Sequence, residues 1–170
     1  HPRETAHLLG QAAAEAEFLS AFNSGRMHHG WMLTGPKGVG KATLAYRIAR
    51  AATGNEGAIC TVGAYHGNTT LVSELSPGFE RKRTAPDFIV DVPPPDLYRG
   101  PYDTQQPDYI ERYANLVDDA IEELAERGHK PAMMIIDSIY DAAGVHTPSP
   151  EYQQRVHGKV RAAGGLVVCD

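Results

Sequence analysis

The chain has 170 residues, 42% of them apolar, and a formal net charge of −5, which is one-domain length with enough apolar material to bury a core. The acidic balance excludes a broad nucleic-acid surface. No apolar stretch approaches membrane length and no basic segment precedes an apolar one at the start, so a membrane protein and a secreted one are both disfavoured and a reducing cytoplasm is expected.

In chain order, Gln11 to Phe22 places Ala12, Ala16, Leu19 and Phe22 on one helical stripe, and Gly25 offers a stop. The run Trp31-Met32-Leu33-Thr34 reads as a buried strand, the glycines after it as a loop, and Ala42 to Ala52 as a helix. Ala58 to Val62 is a second expected strand, Asn68 to Leu75 a short helix, and Asp87 to Val92 a third strand. Pro93-Pro94-Pro95 then forces extended chain. The longest helix is expected to open on Asp108 with Glu111 as a capping-box-like pair, to bury Ile110, Tyr113, Val117, Ile121 and Leu124, and to end at Gly128. A strand over Ala132 to Ile136, a helix from Pro150 to Ala163 and a last strand over Leu166 to Cys169 complete the order. Helices alternating with fully apolar strands predict an α/β fold, a mostly parallel sheet with helices on both faces.

Chemistry concentrates in a few places. Gly35-Pro36-Lys37-Gly38-Val39-Gly40-Lys41-Ala42-Thr43 has the Gly-x4-Gly-Lys spacing of a phosphate-binding loop. Amides at a helix start, the helix dipole and the Lys41 ammonium there suit phosphate oxygens. Gly35, Gly38, Gly40, Lys41 and Thr43 are the phosphate or nucleotide candidates. Ala42 stands where a magnesium-holding hydroxyl is usual, and Thr43 is one residue late, about 100° around the helix; phosphate binding survives this better than hydrolysis. Cys60 and Cys169 each lie in a strand-like run and read as small buried hydrophobes, implying neither disulfide nor zinc. His7, His28, His29, His129, His146 and His157 show no metal spacing. Arg81-Lys82-Arg83 reads as a solvated loop. His1 stands first and Asp170 follows an apolar run, so the chain reads as a piece of something longer.

Two resemblances divide the chain. Residues 1 to about 50, with Ser24-Gly25-Arg26-Met27-His28-His29-Gly30-Trp31 and the Gly35 to Thr43 loop, resemble the amino terminus of the delta-prime subunit of the DNA polymerase III clamp loader. That family implies a P-loop module, with ATP as the alternative ligand and nucleic acid reached only indirectly. The apolar run ending in Asp137 also fits a Walker-B pattern, a weak signal because any apolar strand before an Asp does. From about Leu44 the chain resembles class III pyridoxal-phosphate-dependent aminotransferases. Arg47-Ile48-Ala49-Arg50-Ala51, Gly63-Ala64-Tyr65-His66-Gly67-Asn68-Thr69, Tyr98-Arg99-Gly100-Pro101-Tyr102 and Ala162 to Asp170 carry that likeness. Together they suggest a chimeric chain, with a clamp-loader-like segment over 1–50 and part of an aminotransferase large domain over 51–170, expected to form one compact unit.

The second resemblance implies pyridoxal 5'-phosphate as cofactor, an amine or amino acid and a keto acid as substrates, and a homodimer for the full-length parent. It implies that Tyr65 stacks on the pyridine ring, that His66 contacts the cofactor or closes a turn, and that Asp170 meets the ring nitrogen. Asp137 falls where many members carry a Glu near the substrate, although Asp137-Ser138 replaces the more frequent Glu-Pro. The family's Schiff-base lysine lies well beyond the position of Asp170. None of the five lysines, Lys37, Lys41, Lys82, Lys130 and Lys159, matches it, so no catalytic residue is assigned and the piece is expected to be inactive. The family's own phosphate-binding loop is replaced by Gly35 to Lys41, which uses the same helix-start physics.

Overall fold

The computed structural model describes residues 10–25, 28–78 and 85–170. His7, Arg26, Met27 and the Arg81-Lys82-Arg83 triplet lie outside the described residues. Helix α1 spans Ala12–Asn23 and α2 spans Lys41–Thr53; strand β1 follows at Gly57–Thr61, then α3 at Thr70–Glu74 and β2 at Ile89–Val92. Helix α4 spans Tyr109–Glu126, β3 Pro131–Ile136, α5 Pro150–Ala162 and β4 Leu166–Cys169.

The four strands form one sheet in the order β2-β1-β3-β4, and all three pairings are parallel. Strand side chains alternate between faces, and the core divides accordingly. Cys60, Met133 and Ile135 pack with Tyr46 and Ala49 of α2 and with Leu75 on one face. Ile59, Met134 and Ile136 pack with Val117 and Leu124 of α4 and Val156 and Val160 of α5 on the other. β1 and β3 are buried throughout, which is why they read as continuous apolar runs. β4 is one of the two edge strands, half-buried and ending on exposed Cys169; of the two free thiols, the expected burial holds for Cys60 alone.

Two local expectations are corrected. Trp31 to Thr34 is irregular chain, and Met32 is 85% exposed. A strand needs a neighbour for its amides; here Trp31 leans edge-on against Phe18 of α1 and against His28. Asp108 makes no side-chain cap for α4, because its Oδ2 accepts a hydrogen bond from Arg112 Nε at 2.9 Å instead. The side-chain cap occurs at α5, where Ser149 Oγ accepts from the Tyr152 amide at 3.2 Å and Pro150 occupies the first turn.

Candidate functional site

In the order β2-β1-β3-β4, the chain leaving β1 goes to one side, to β2, and the chain leaving β3 goes to the other, to β4. The carboxyl ends of β1 and β3 therefore flank a topological switch point, where open parallel sheets bind ligands. Tyr65 and His66 follow β1, Asp137 follows β3 and Asp170 follows β4, so this edge gathers all four. Because α2 runs into β1, its amino terminus, with Gly40 and Lys41, faces the same edge.

His66 and Asp170 are joined directly. His66 Nδ1 lies 3.0 Å from Asp170 Oδ2; a carboxylate only accepts, so Nδ1–H donates and the other nitrogen, Nε2, is left as an acceptor in the neutral ring. The imidazole is fully buried while the Asp170 side chain remains 41% exposed. Nε2 is buried with no hydrogen-bond partner. The backbone holds both groups in place. The His66 amide donates to Ser76 Oγ at 2.9 Å, and that hydroxyl donates to Val72 O at 2.7 Å. The Asp170 amide donates to Ile136 O at 2.9 Å, extending the β3–β4 pairing to the last residue. Gly63 and Gly67 adopt φ of 86° and 136° on either side of Tyr65, and a side chain at Gly63 would press on Ala143 of the β3–α5 connection at 3.1 Å. Tyr65 is half-buried beside His66.

Asp137 is differently employed. Its Oδ1 accepts from the Ile139 amide at 3.0 Å and its Oδ2 from the Asp141 amide at 2.7 Å, so both oxygens shape the β3–α5 connection. The Gly35 to Lys41 loop keeps the glycine geometry, with Gly35, Gly38 and Gly40 at φ of 147°, 80° and 98°. Lys41 Nζ donates to the loop carbonyls of Gly35 and Pro36 at 3.0 and 3.1 Å. Thr43 Oγ1 sits 2.9 Å from Thr69 Oγ1, which ties the start of α2 to the segment after Tyr65-His66 and occupies the hydroxyl expected near phosphate. A cavity of about 220 Å³ opens between this loop and α1, bordered by Phe18, Trp31, Lys41 and Leu44. Ser76 and Thr69 were not singled out by sequence, since a lone Ser or Thr in a loop carries no spacing signal.

A carboxylate oriented by a buried histidine, with an aromatic residue next to that histidine, provides an acceptor for a ring N–H and an apolar surface for a ring plane. The amide-rich start of α2 on the same edge suits an attached phosphate. Among the described residues, no group of three or more His, Cys, Asp or Glu is placed to hold a metal ion, and no helix is long and apolar enough to cross a membrane.

No family model matches the chain. A Drosophila melanogaster protein named alanine–glyoxylate aminotransferase 2-like is 33% identical over 136 residues, covering 75% of this chain and 27% of its own length. The structure of an Arthrobacter phospholyase in complex with phosphoethanolamine matches with a TM-score of 0.71 and 30% identity, over 96% of this chain and 39% of that one. A taurine:2-oxoglutarate aminotransferase from Bifidobacterium kashiwanohense, solved with PLP and glutamate, shares the fold at a TM-score of 0.63 and 22% identity. A gamma subunit of DNA polymerase III from Buchnera aphidicola is 36% identical over 50 residues, or 29% of this chain and 14% of that subunit, a match consistent with the clamp-loader-like segment, for which the expectation names the delta-prime subunit. The chain spans less than a third of the length of these curated relatives. Proteins named aminotransferase and phospholyase are thus similar to most of the chain, and its α/β parallel sheet is part of the fold those pyridoxal-phosphate enzymes share.

Proposed function

We propose that this chain carries the ring-binding half of a class III pyridoxal-phosphate enzyme site, the parent activity being amino-group transfer between an amine or amino acid and a keto acid. The observation that carries the reading is the 3.0 Å contact between buried His66 and Asp170 at the switch point of a parallel sheet. Asp170 would accept from the protonated pyridine nitrogen with the oxygen not engaged by His66. His66 would fix the carboxylate's direction. Tyr65 would lie along the ring, and the amides at the start of α2 would take the phosphate, with Lys41 turning from the carbonyls of Gly35 and Pro36 toward it. When bound, pyridoxal phosphate supplies a ring that withdraws electrons from the substrate carbon next to the amine.

Asp137, with both oxygens held by backbone amides, would act by shaping the connection that borders the substrate. The junction between the clamp-loader-like and aminotransferase-like parts falls within α2, whose Tyr46 and Ala49 are fully buried against the sheet; such packing supports a single folded unit. The homodimer, a cytoplasmic setting and the absence of lysine-dependent turnover in this piece belong to the same reading.

Titration of the full chain with pyridoxal phosphate, followed by absorbance, tests it. A saturable spectral change that weakens about tenfold in Tyr65→Ala is expected, since a ring stack contributes about 0.5–1.5 kcal/mol beyond its buried area. Binding of ATP that disappears in Lys41→Ala, with no pyridoxal-phosphate response, would instead support the P-loop module.

A further inference from the structure

Strand β2 is the other edge of the sheet: among the described residues it pairs with β1 alone. The amides of Ala58 and Val62 donate to Phe88 O and Val92 O, each at 2.8 Å, so alternate residues of β2 face β1, and Asp87, Ile89 and Asp91 turn their backbone groups outward. An edge of this kind is a template for another strand unless something occupies it.

Most of this one is occupied. Arg127, the residue that ends α4, donates from one guanidinium nitrogen to Asp87 O at 3.3 Å and to Ile89 O at 3.1 Å. Its other terminal nitrogen is held by the Glu123 carboxylate, one turn back along the helix. The Ile89 amide donates to Pro86 O at 3.0 Å, so both backbone groups of residue 89 are taken. His129 Nε2 lies 3.5 Å from Asp87 Oδ1, a second hold on the start of the strand from the chain just after α4. At the far end Pro93 follows, and proline brings no N–H to an edge. A hollow of about 380 Å³, bordered by Ile89, Asp91, Glu123 and Arg127, runs alongside.

We propose that Arg127 guards the outer edge of β2, keeping it from adding an extended segment of a second copy of this chain. Both carbonyls that an incoming strand must bond to, Asp87 O and Ile89 O, already accept from a charged donor, which an entering amide would have to displace. The planar fork of the guanidinium lets one side chain reach two carbonyls and a carboxylate together. The guard stands on the opposite edge of the sheet from β4 and Asp170 and is independent of pyridoxal phosphate.

A dye-labelled peptide with the sequence of residues 87–92, titrated into the full chain and followed by fluorescence anisotropy, tests the assignment. Arg127→Ala is expected to bind it about tenfold more tightly than the parent does, as loss of the charged donor at those carbonyls implies. Glu123→Ala, which frees the guanidinium from its carboxylate, should fall between the two. Arg161→Ala, which removes the same charge from an exposed position on α5, should match the parent. Amide chemical shifts in the Arg127→Ala complex should move at Ile89 and Asp91. Thermal melts show which variants are folded; were Arg127→Ala not folded, Glu123→Ala alone would have to show the gain. Equal binding by the parent and the folded variants, an equal gain in Arg161→Ala, or shifts confined to another surface would each overturn the proposal.

Discussion

Asp170→Ala is expected to lower thermal stability by about 1–2 kcal/mol, a Tm shift of about 3–8 °C for a chain of this size, and to abolish the response to pyridoxal phosphate. The stability loss follows from what the substitution leaves behind. His66 is fully buried, its Nε2 already lacks a partner, and Asp170 supplies the acceptor for Nδ1–H. Removing that acceptor strands a buried donor, which costs more than the net value of the bond it made. Asp170 is 41% exposed, so water reaching the vacated space keeps the cost at the lower end. Replacing both partners, as in His66→Leu with Asp170→Ala, should recover most of the stability and none of the binding, because an apolar side chain leaves no orphaned group. Differential scanning calorimetry of the two single variants and the double variant measures the coupling. Additive losses would show that the contact is unimportant.

Gly100→Ala should destabilise the chain by about 3 kcal/mol, among the larger effects of any single methyl. A Cβ at residue 100 would fall 1.9 Å from Tyr113 Oη and 2.2 Å from Asp96 O, distances no packing rearrangement of a few tenths of an ångström relieves. Tyr113 is 1% exposed, and its hydroxyl donates into the carbonyls of Asp96 and Tyr102, at 2.6 and 3.0 Å. Asp96 O also accepts from the Gly100 amide at 2.9 Å. The methyl would thus displace the turn that leads from β2 to α4, or push Tyr113 out of the core. Gly158→Ala provides the contrast. Nothing lies within 4 Å of its added Cβ, and it sits inside α5, where alanine is favoured over glycine by about 0.5–1 kcal/mol. Denaturant melts should move in opposite directions for the two; a Gly100→Ala midpoint equal to the parent's would refute the packing argument.

Much of the sheet was legible in the sequence because parallel strands buried on both faces leave unbroken apolar runs. Ala58 to Val62 and Ala132 to Ile136 mark β1 and β3 to within a residue or two. The same rule misled at Trp31 to Thr34. That run has strand composition, but pairing is a property of neighbours, and this one has Phe18 of α1 to lean on in place of a strand. Edge position was equally invisible: Cys169 has the surroundings of a buried thiol in sequence and lies exposed at the end of β4.

The candidate residues come from resemblance, and the geometry that joins them is opaque in sequence. Tyr65, His66 and Asp170 were picked out by resemblance alone, since a loop Tyr-His pair and a final carboxylate have no intrinsic meaning. That His66 and Asp170 grip one another across 104 positions of sequence depends on strand order, which periodicity does not encode. Asp137 follows β3, yet its oxygens turn back onto the amides of Ile139 and Asp141, an outcome set by the local turn. Ser76, which holds the His66 amide, gave no signal at all.

The central claim is that the carboxylate of Asp170, aimed by His66, meets the nitrogen of a pyridine ring. The most direct measurement is the ¹⁵N chemical shift of ring-labelled pyridoxal phosphate bound to the parent chain and to Asp170→Asn. The account predicts a protonated ring nitrogen in the parent at neutral pH and an unprotonated one in the variant. A ring nitrogen unprotonated in both, or a shift identical to that of the free cofactor, would contradict it.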